Sequence, residues 1–323
     1  MTSILFLLNE RLTLKTTGTN WTLMHACVSL GFDVYVSDVA HLEARSAASL
    51  FAEAIKVPTS AVAANGSVPL DSGDVELMEL TSFETIVIRT TPGRDIARAW
   101  AHRLSLEVTR LASDLGVNVI NDPAGLQKAS SKLYTVHLPP EYVPRTRICH
   151  TQSSVIAFAD ELDRPFVVKP LLGSQGRDVY FFDSAKSRNL RQVIDNLGMT
   201  GYLVVQEFLP DATDGDIRVL TLNDGLFVAE QPRGVKRTPA DGEIRSNVSL
   251  GGSASLVDLT PRQVEICTTI AKQLDRDGIR FAGLDLIGEK IVEVNVFSPS
   301  GLQELQPQMH AEEWSRQINR LLT

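Results

Sequence analysis

The segment that decides the fold reads Gly283-Leu-Asp285-Leu-Ile-Gly-Glu-Lys-Ile-Val-Glu293-Val-Asn295-Val-Phe-Ser298-Pro-Ser-Gly301. Two apolar runs meet at a Gly-Glu-Lys turn, which predicts a β-hairpin. Glu293 and Asn295 are two residues apart, so both side chains leave the same face of a strand, and Asp285 can approach that face from the neighbouring strand. Carboxylate and amide oxygens suit Mg²⁺, which makes the hairpin a candidate site for magnesium and nucleotide phosphates. The alternative is a surface hairpin with solvated acids, which the apolar run around Glu293 disfavours.

The composition is that of a globular chain with an acidic balance. Its 323 residues include 31 Lys and Arg against 39 Asp and Glu, a formal net charge of -8. This balance gives no sign of general nucleic-acid affinity, although a local basic cleft is compatible with it. Cys27, Cys149 and Cys267 are isolated and odd in number, which argues against a disulfide framework or a zinc site and fits a reducing cytoplasm. The short apolar start predicts a first strand, and no apolar run is long enough to span a bilayer.

The first part of the chain alternates strand and helix patterns, which predicts an α/β fold with a parallel sheet. The predicted strands are 4–8, 33–37, 84–89 and 117–120, and the predicted helices are 19–30 and 95–115. A turn at Asn121-Asp-Pro-Ala-Gly predicts a boundary, so we expect an N-terminal domain over 1–122.

Two further modules, 123–201 and 202–323, are expected to follow. In the second module the predicted helices are 125–137, 152–162 and 186–197, and the predicted strands are 165–170 and 178–182. In the third the predicted strands are 202–209, 216–222, 226–230 and the two hairpin runs, with helices at 260–277 and 311–322. Short strands joined by turns predict a largely antiparallel sheet in the third module.

Lys169 ends an apolar strand just before the loop Gly173-Ser174-Gln175-Gly176. A cation there can hold nucleotide phosphates while loop amides cover them. The loop is not a Walker A motif, and taken alone this pattern is better explained by an exposed strand-end lysine. Another strand ends at Gln206-Glu207-Phe208-Leu209, where an adenine can meet backbone groups and an apolar side chain, unless the strand simply terminates there.

Cationic side chains follow in positions suited to anions. Asp216 can lie near a metal or substrate and Arg218 can pair with a transferred phosphate, unless both belong to a turn with a surface ion pair. A Gly/Pro-rich loop before Gly251 and Gly252 is expected to gather the cations Arg233, Lys236, Arg237 and Arg245. Cations beside a glycine-rich segment indicate an anion site.

Arg89 leaves the end of a buried strand in the first module. Ligands bind at the carboxyl ends of strands in open α/β sheets, and an arginine there suits a substrate carboxylate. A salt-bridged strand end is the competing explanation.

These features occur in a characteristic order along the whole chain. The motifs that carry it are Thr-Asn-Trp-Thr-Leu-Met near the start, Val-Ile-Arg89, Val-Ile-Asn121-Asp-Pro before Ser-Lys132-Leu, Phe-Val-Val-Lys169-Pro-Leu, Gly215-Asp216-Ile-Arg218, Gly242-Glu-Ile-Arg245-Ser-Asn247 and Glu293-Val-Asn295-Val-Phe-Ser298-Pro. The order resembles the ATP-grasp superfamily, and most closely its bacterial glutathione synthetase family. The resemblance implies the ATP-grasp fold, with an N-terminal pre-ATP-grasp domain, a lid subdomain and a catalytic subdomain that together enclose ATP.

The resemblance also implies a role for each matching position. ATP would be bound by Lys132, Lys169, Gly173, Ser174, Gln175, Gly176, Gln206, Glu207, Phe208, Leu209 and Asp216. The substrates would be bound by Arg89, Arg245, Asn247, Gly251, Gly252 and Ser298, and the catalytic residues would be Arg218, Arg237 and Arg245. Mg²⁺ would be held by Asp285, Glu293 and Asn295. The implied cofactors are therefore ATP and Mg²⁺.

The function implied is an ATP-dependent ligase that joins a carboxylate to an amine through an acyl phosphate, with γ-glutamylcysteine and glycine as substrates. Small-molecule substrates, a cytoplasmic location and a homo-oligomer (dimer or tetramer) are part of the same expectation. Departures from the family lie near the substrates: Gly173-Ser-Gln-Gly176 replaces Gly-x-Gly-Gly, Thr90-Thr-Pro-Gly-Arg94 follows Arg89, and Ser300-Gly-Leu-Gln303-Glu304 leans towards ribosomal-protein glutamate ligases.

Three alternatives to this function stay open at this point. A ligase of the same superfamily can join a different amino acid, peptide or protein terminus. The chain can be a nucleotide-binding module without turnover, which intact Lys169, Asp285, Glu293 and Asn295 disfavour. A nicotinamide-dependent dehydrogenase is disfavoured because no Gly-x-Gly-x-x-Gly follows the first strand.

Overall fold

The structure is a computed structural model that describes residues 2–11, 14–15, 18–58, 67–68, 75–173, 178–199, 201–228, 230–239 and 252–323. In chain order its strands are β1 (Ser3–Leu8), β2 (Leu14–Lys15), β3 (Asp33–Asp38), β4 (Leu42–Ser46), β5 (Ser49–Lys56), β6 (Ser67–Val68), β7 (Val75–Glu79), β8 (Thr85–Ile88), β9 (Asn118–Ile120), β10 (Thr146–Cys149), β11 (Phe166–Pro170), β12 (Tyr180–Phe182), β13 (Leu203–Glu207), β14 (Asp216–Leu222), β15 (Gly225–Leu226), β16 (Arg233–Thr238), β17 (Ser253–Asp258), β18 (Phe281–Ile287) and β19 (Lys290–Asn295). Its α-helices are α1 (Thr19–Ser29), α2 (Ala99–Asp114), α3 (Pro123–Lys128), α4 (Gln152–Leu162), α5 (Leu190–Gly198), α6 (Pro261–Arg276), α7 (Leu302–Leu305) and α8 (Ala311–Leu322). Within these described residues, no helix combines the length and the apolar character needed to cross a membrane.

The N-terminal sheet has the order β4-β5-β3-β1-β8-β9, with β7 beside β5. Strands β1, β3, β8 and β9 are parallel to their neighbours in this half, which confirms the predicted parallel α/β unit. Strand β1 is buried from Ile4 to Leu8, as expected for a strand covered on both faces. The antiparallel half, β4, β5 and β7, lies in a stretch for which the sequence suggested no strand.

A second sheet has the order β10-β13-β11-β12 and is antiparallel. Strand β13 pairs with β10 and β11, so the prediction that the strand at 202–209 opens the last sheet is wrong. Strand β10 was missed in the sequence, and β10 and β11 together supply backbone partners on both edges of β13. Helices α4 and α5 pack on this sheet around a hydrophobic cluster of its own.

The third sheet has the order β17-β16-β14-β18-β19, with β15 beside β14. Strand β16 occupies the start of the segment that was expected to be a Gly/Pro-rich loop from 233. The local composition favours a loop, but backbone pairing with β14 and β17 on the two edges of β16 stabilises a strand instead. The strand expected over 226–230 is short, since Gly225–Leu226 is the part that pairs.

The helix expected over 125–137 is broken into α3 and a 3-10 segment, Lys132–His137. The Ser131 hydroxyl accepts a hydrogen bond from the Leu133 N–H, and such local side-chain bonds compete with a continuing helix. Helix α2 begins at Ala99 rather than 95, after two 3-10 turns. One hydrophobic core runs from the N-terminal sheet through α2 and α3 to α6 and the third sheet.

Candidate active site

The hairpin predicted over 283–295 forms as β18 and β19, joined by a two-residue turn in which Gly288 has φ of +59°. A positive φ at this position is typical of a tight hairpin turn and favours glycine. Asp285 lies directly opposite Glu293, so it approaches the face of Glu293 and Asn295 from the neighbouring strand, as the sequence suggested. Asn295 lies on the same side of the pair, and its Nδ2 donates to Asp285 Oδ2 at 3.3 Å.

Asp285 is buried and is held by two arginines. Arg218 is its register partner on β14; Nε of Arg218 donates to Oδ1 and Nη2 donates to Oδ2 at 2.9 Å. Arg237 on β16 places Nη2 2.9 Å from Oδ2 of the same carboxylate. Burial alone would raise the pKa of Asp285, but the charges of Arg218 and Arg237 outweigh it and hold that pKa well below its ordinary value. The carboxylate is therefore ionised at neutral pH.

Arg237 also bridges to Asp216, its register partner on β14. Its Nε and Nη2 both lie 2.6 Å from Asp216 Oδ1. Burial opposes the charge of Arg237, but Asp285 and Asp216 together raise its pKa above the ordinary value. The four side chains of Asp216, Arg218, Arg237 and Asp285 thus form one charged cluster that spans three adjacent strands.

Two lysines approach the hairpin, Lys132 from the 3-10 segment and Lys169 from β11 of the second sheet. Lys132 Nζ donates to the Gly173 carbonyl at 2.7 Å and lies 3.7 Å from Glu293 Oε1. Lys169 Nζ donates to Gln206 Oε1 at 3.0 Å. Burial lowers the pKa of Lys169 to about 8, despite the opposing charge of Glu293. A partly desolvated ammonium of this kind gains stability from an anionic ligand.

The side chains at the strand end 206–209 have different partners: Gln206 contacts Lys169, whereas Glu207 contacts Arg164. Gln206 is buried, and its Nε2 donates to Thr146 Oγ1 at 2.9 Å, which fixes the amide that meets Lys169. The Glu207 carboxylate instead accepts from Arg164 Nη1 at 2.6 Å. The Phe208 ring contacts Phe181 edge-on, with 4.8 Å between centroids. Thr146 had no role in the sequence prediction, because nothing local marks a residue that acts through a cross-strand partner.

Arg89 ends β8 inside the protein, with 3% of its surface exposed. Its Nε donates to Asn20 Oδ1 at 2.8 Å, and its Nη2 donates to the Pro299 carbonyl at 2.8 Å. Ser298 Oγ also donates to Asn20 Oδ1, at 3.4 Å. The guanidinium lies 5.4 Å from the centroid of the Phe281 ring. Burial lowers the pKa of Arg89 to about 9, which still leaves the side chain cationic at neutral pH.

Arg89 and the charged cluster are joined through the loop after β19. Arg218 Nη1 donates to the Ser300 carbonyl at 3.3 Å, next to the Pro299 carbonyl that Arg89 holds. Asn20, which contacts both Arg89 and Ser298, was not among the residues predicted for the site. The available signal was its place at the start of α1, opposite the carboxyl end of β8.

The predicted magnesium ligands have the right chemistry for that ion. Among the described residues, no group of three or more His, Cys, Asp and Glu side chains could hold a metal. The predicted set is of another kind, since it has two carboxylates and one amide. Within the described chain Asp285 Oδ1 accepts from Arg218 Nε alone, which leaves a lone pair. Asn295 donates a hydrogen bond to Asp285 through Nδ2, so its Oδ1 can coordinate a cation.

Several sequence predictions fall outside the described residues. They are Ser174, Gln175, Gly176, Arg245, Asn247 and Gly251. Gly252 is described and directly precedes β17, at the edge of the third sheet.

Comparison with known proteins covers nearly the whole chain. Two domain families match it: the prokaryotic glutathione synthetase N-terminal domain over residues 3–127 and the prokaryotic glutathione synthetase ATP-grasp domain over residues 131–310. A glutathione synthetase of Gloeobacter violaceus is 32% identical over 313 residues, which are 94% of this chain and 91% of that protein. A glutathione synthetase of Synechococcus elongatus is 35% identical over 237 residues, 72% of this chain and 69% of that protein. The solved structure of D-cycloserine synthetase DcsG, 16% identical, covers 99% of this chain and 100% of its own with a TM-score of 0.64, which shows a shared fold.

Proposed function

Because this chain belongs to the prokaryotic glutathione synthetase family of ATP-grasp ligases, we propose that it joins γ-glutamylcysteine to glycine with conversion of ATP to ADP and phosphate. The predicted family and the predicted ATP-grasp α/β fold are both confirmed. The enzyme class, a ligase that forms a C–N bond, follows from the family.

The observation that carries the proposal is the meeting of two lysines and two arginines around the carboxylates of the hairpin. Lys132 and Lys169 lie beside Glu293, and Arg218 and Arg237 lie on Asp285. We assign the lysines to the ATP phosphates and the arginines to the phosphoryl group that is transferred. Positive groups placed in advance around a developing negative charge are the main means of catalysis in phosphoryl transfer.

The proposed reaction has two steps. An oxygen of the substrate carboxylate forms a bond to the γ-phosphorus of ATP as the bond to ADP breaks, which gives an acyl phosphate. The amine nitrogen then forms a bond to the acyl carbon, phosphate leaves, and the ammonium proton passes to solvent or base to leave the amide. In this proposal Arg218 and Arg237 would stabilise the phosphoryl oxygens in both steps. No side-chain nucleophile is required, since ATP activates the acid.

Mg²⁺ would be held by Asp285, Glu293 and Asn295, and when bound it offsets the negative charge of the phosphates. This assignment is supported by the two paired strands, which bring the three side chains together. Arg218 and Arg237 keep Asp285 ionised, so its carboxylate does not have to lose a proton before a cation binds.

We assign Arg89 and Ser298, which lie away from the proposed metal ligands, to binding of the acid substrate.

The three proposed structural units are a substrate domain over 1–122, a lid subdomain and a catalytic subdomain. The second boundary is moved from 201 to about 209, because β13 pairs within the second sheet. That sheet has its own hydrophobic cluster, which supports a unit able to move over ATP.

A panel of acids and amines scored for ADP release tests the substrates. We expect ADP and glutathione to appear only when γ-glutamylcysteine and glycine are both present. ADP formed only with another amino acid, peptide or protein terminus would instead assign the chain to the alternative ligase reaction. No ADP with any pair would contradict a ligase altogether.

Glu293→Gln tests the metal assignment. The variant should keep its melting temperature but lose about a hundredfold or more in Mg²⁺-dependent turnover, because removing one charged contact from a transition state costs several kcal/mol. Glu289→Gln is the matched control, since Glu289 is an exposed glutamate in the turn of the same hairpin. Equal activities of the two variants would show that Glu293 is not a metal ligand.

We also propose a cytoplasmic homo-oligomer. Helix α2 exposes apolar side chains at helical spacing, with 63% of Trp100, 42% of Leu104 and 36% of Leu111 accessible. Arg103 and Glu107, 3.2 Å apart on the same helix, are also exposed. A face that carries both charges can pair with a second copy of itself about a two-fold axis. Trp100→Glu should halve the mass in light scattering, and an unchanged mass would place the interface elsewhere.

A further inference from the structure

Arg89 is a buried cation in which one of the three guanidinium nitrogens has no partner among the described residues. Its two hydrogen-bond partners, the Asn20 amide oxygen and the Pro299 carbonyl, are both neutral. Its remaining nitrogen, Nη1, is buried and has no hydrogen-bond partner among the described residues. Such a group costs free energy unless a ligand pairs with it, and the ligand that suits a guanidinium is a carboxylate or phosphate.

The orientation of this guanidinium is fixed from two sides. Asn20 holds Nε from helix α1, while Pro299 holds Nη2 from the loop after β19. Because the guanidinium is planar, fixing these two nitrogens also fixes the direction of Nη1. Asn20 additionally accepts from Ser298 Oγ at 3.4 Å, which ties the start of α1 to the same loop.

The neutrality of Asn20 matters as much as its position. An amide oxygen accepts from Nε without cancelling the charge of Arg89, whereas a carboxylate in the same place would form a salt bridge and compete with an incoming anion. We propose that Asn20 is a positioning residue that aims Arg89 Nη1 at a carboxylate of the acid substrate. This inference rests on the proposed ligase function and adds a specificity-determining residue to it.

Asn20→Asp separates a positioning role from a structural one. The new carboxylate keeps an acceptor for Arg89 Nε, so the melting temperature should stay the same or rise. The KM for γ-glutamylcysteine should nevertheless rise about tenfold or more, since one charge-assisted contact to the substrate is lost. The KM for ATP should stay within about twofold, and kcat should change less than the KM for the acid.

Asn223→Asp is the matched control. Asn223 Oδ1 accepts from Arg280 Nε at 3.2 Å, the same type of pair, in a turn after β14 outside the proposed site. This variant should leave all three kinetic parameters unchanged. Asn20→Ala, which removes the acceptor, should raise the KM for the acid by several-fold and lower the melting temperature.

The outcomes separate the inference from the function on which it rests. If wild-type enzyme turns over the proposed pair and Asn20→Asp retains its KM for the acid, the positioning role is refuted and the proposed function stands. An equal rise of KM in Asn223→Asp would also refute it. If wild-type enzyme turns over no pair of substrates, the proposed function fails and the inference fails with it.

Discussion

Lys169 should make nucleotide binding depend on pH in one direction. Its ammonium is partly buried beside Gln206, and desolvation lowers its pKa from the ordinary value of a lysine to about 8. Only the protonated side chain can pair with a phosphate. Affinity for nucleotide should therefore be nearly full at pH 7 and should fall as the pH rises through about 8.

The size of the effect follows from that pKa. If only protonated Lys169 binds nucleotide, the dissociation constant scales with one plus the ratio of deprotonated to protonated lysine. This factor is about 1.1 at about pH 7 and about 11 at about pH 9, so the dissociation constant should rise about tenfold, or ~1.4 kcal/mol. Binding should also take up about half a proton at about pH 8, because the bound phosphate draws the lysine back to its charged form.

Calorimetry with ADP in the presence of a chelator is the suitable assay, because no metal then contributes to binding. The last phosphate ionisation lies near pH 6, so the charge of ADP is nearly constant over the range tested. Lys169→Arg is the control, since its guanidinium stays charged and its dissociation constant should vary less than about twofold. A wild-type dissociation constant that does not change from about pH 7 to about pH 9, or an equal slope in Lys169→Arg, would refute the reasoning.

Raising the pH should weaken nucleotide binding through Lys169, but it should increase the contribution of Lys169 to the free energy of unfolding. Unfolded chain titrates lysine near pH 10.4, so between about pH 8 and that value the unfolded state binds more protons than the folded state. The contribution of Lys169 to the free energy of unfolding of ligand-free protein should therefore increase with pH over this window. Lys169→Arg should lack this increase in urea denaturation.

Two substitutions test the packing of the site and of the fold. Asp285→Asn leaves Arg218 and Arg237 buried without their shared charge, so urea denaturation should show a free energy of unfolding lower by about 3–5 kcal/mol, and an equal or higher value would contradict the ion-pair cluster. Gly125→Ala would force a Cβ against the Asp277 carbonyl oxygen, so it should destabilise by about 1–3 kcal/mol, whereas Gly225→Ala has open space and should not.

The parallel half of the N-terminal sheet could be predicted because its strands are buried on both faces. Their apolar runs over 4–8, 84–89 and 117–120 stand out against polar surroundings. Strands β4 and β7 were not predicted, since much of each is exposed and the residues there are mixed in polarity. Such strands are specified by their neighbours in the sheet rather than by their own pattern.

The hairpin at the centre of the site could be predicted, and with it the approach of Asp285 to the face that carries Glu293 and Asn295. The pairing of Asp285 with Glu293 itself depends on a register shift between Asp285 and Leu286, which the tight turn alone does not specify. The contact between Arg237 and Asp285 could not be predicted, because it depends on the registers of β14, β16 and β18, whose residues lie far apart in the chain. Arg237 was expected in a loop, and the pairing of β16 places it on a sheet face instead.

The loop after β19 binds both Arg89 and Arg218 through consecutive main-chain carbonyls. Every amino acid supplies the same carbonyl, so these anchors do not depend on which side chains occupy 299 and 300. Mutation can therefore alter this loop while the two arginines keep their spacing. The tail that follows is more constrained, since Gly301 has a φ of +129° and its N–H donates to Thr19 Oγ1, and the side chain of Leu302 is fully buried.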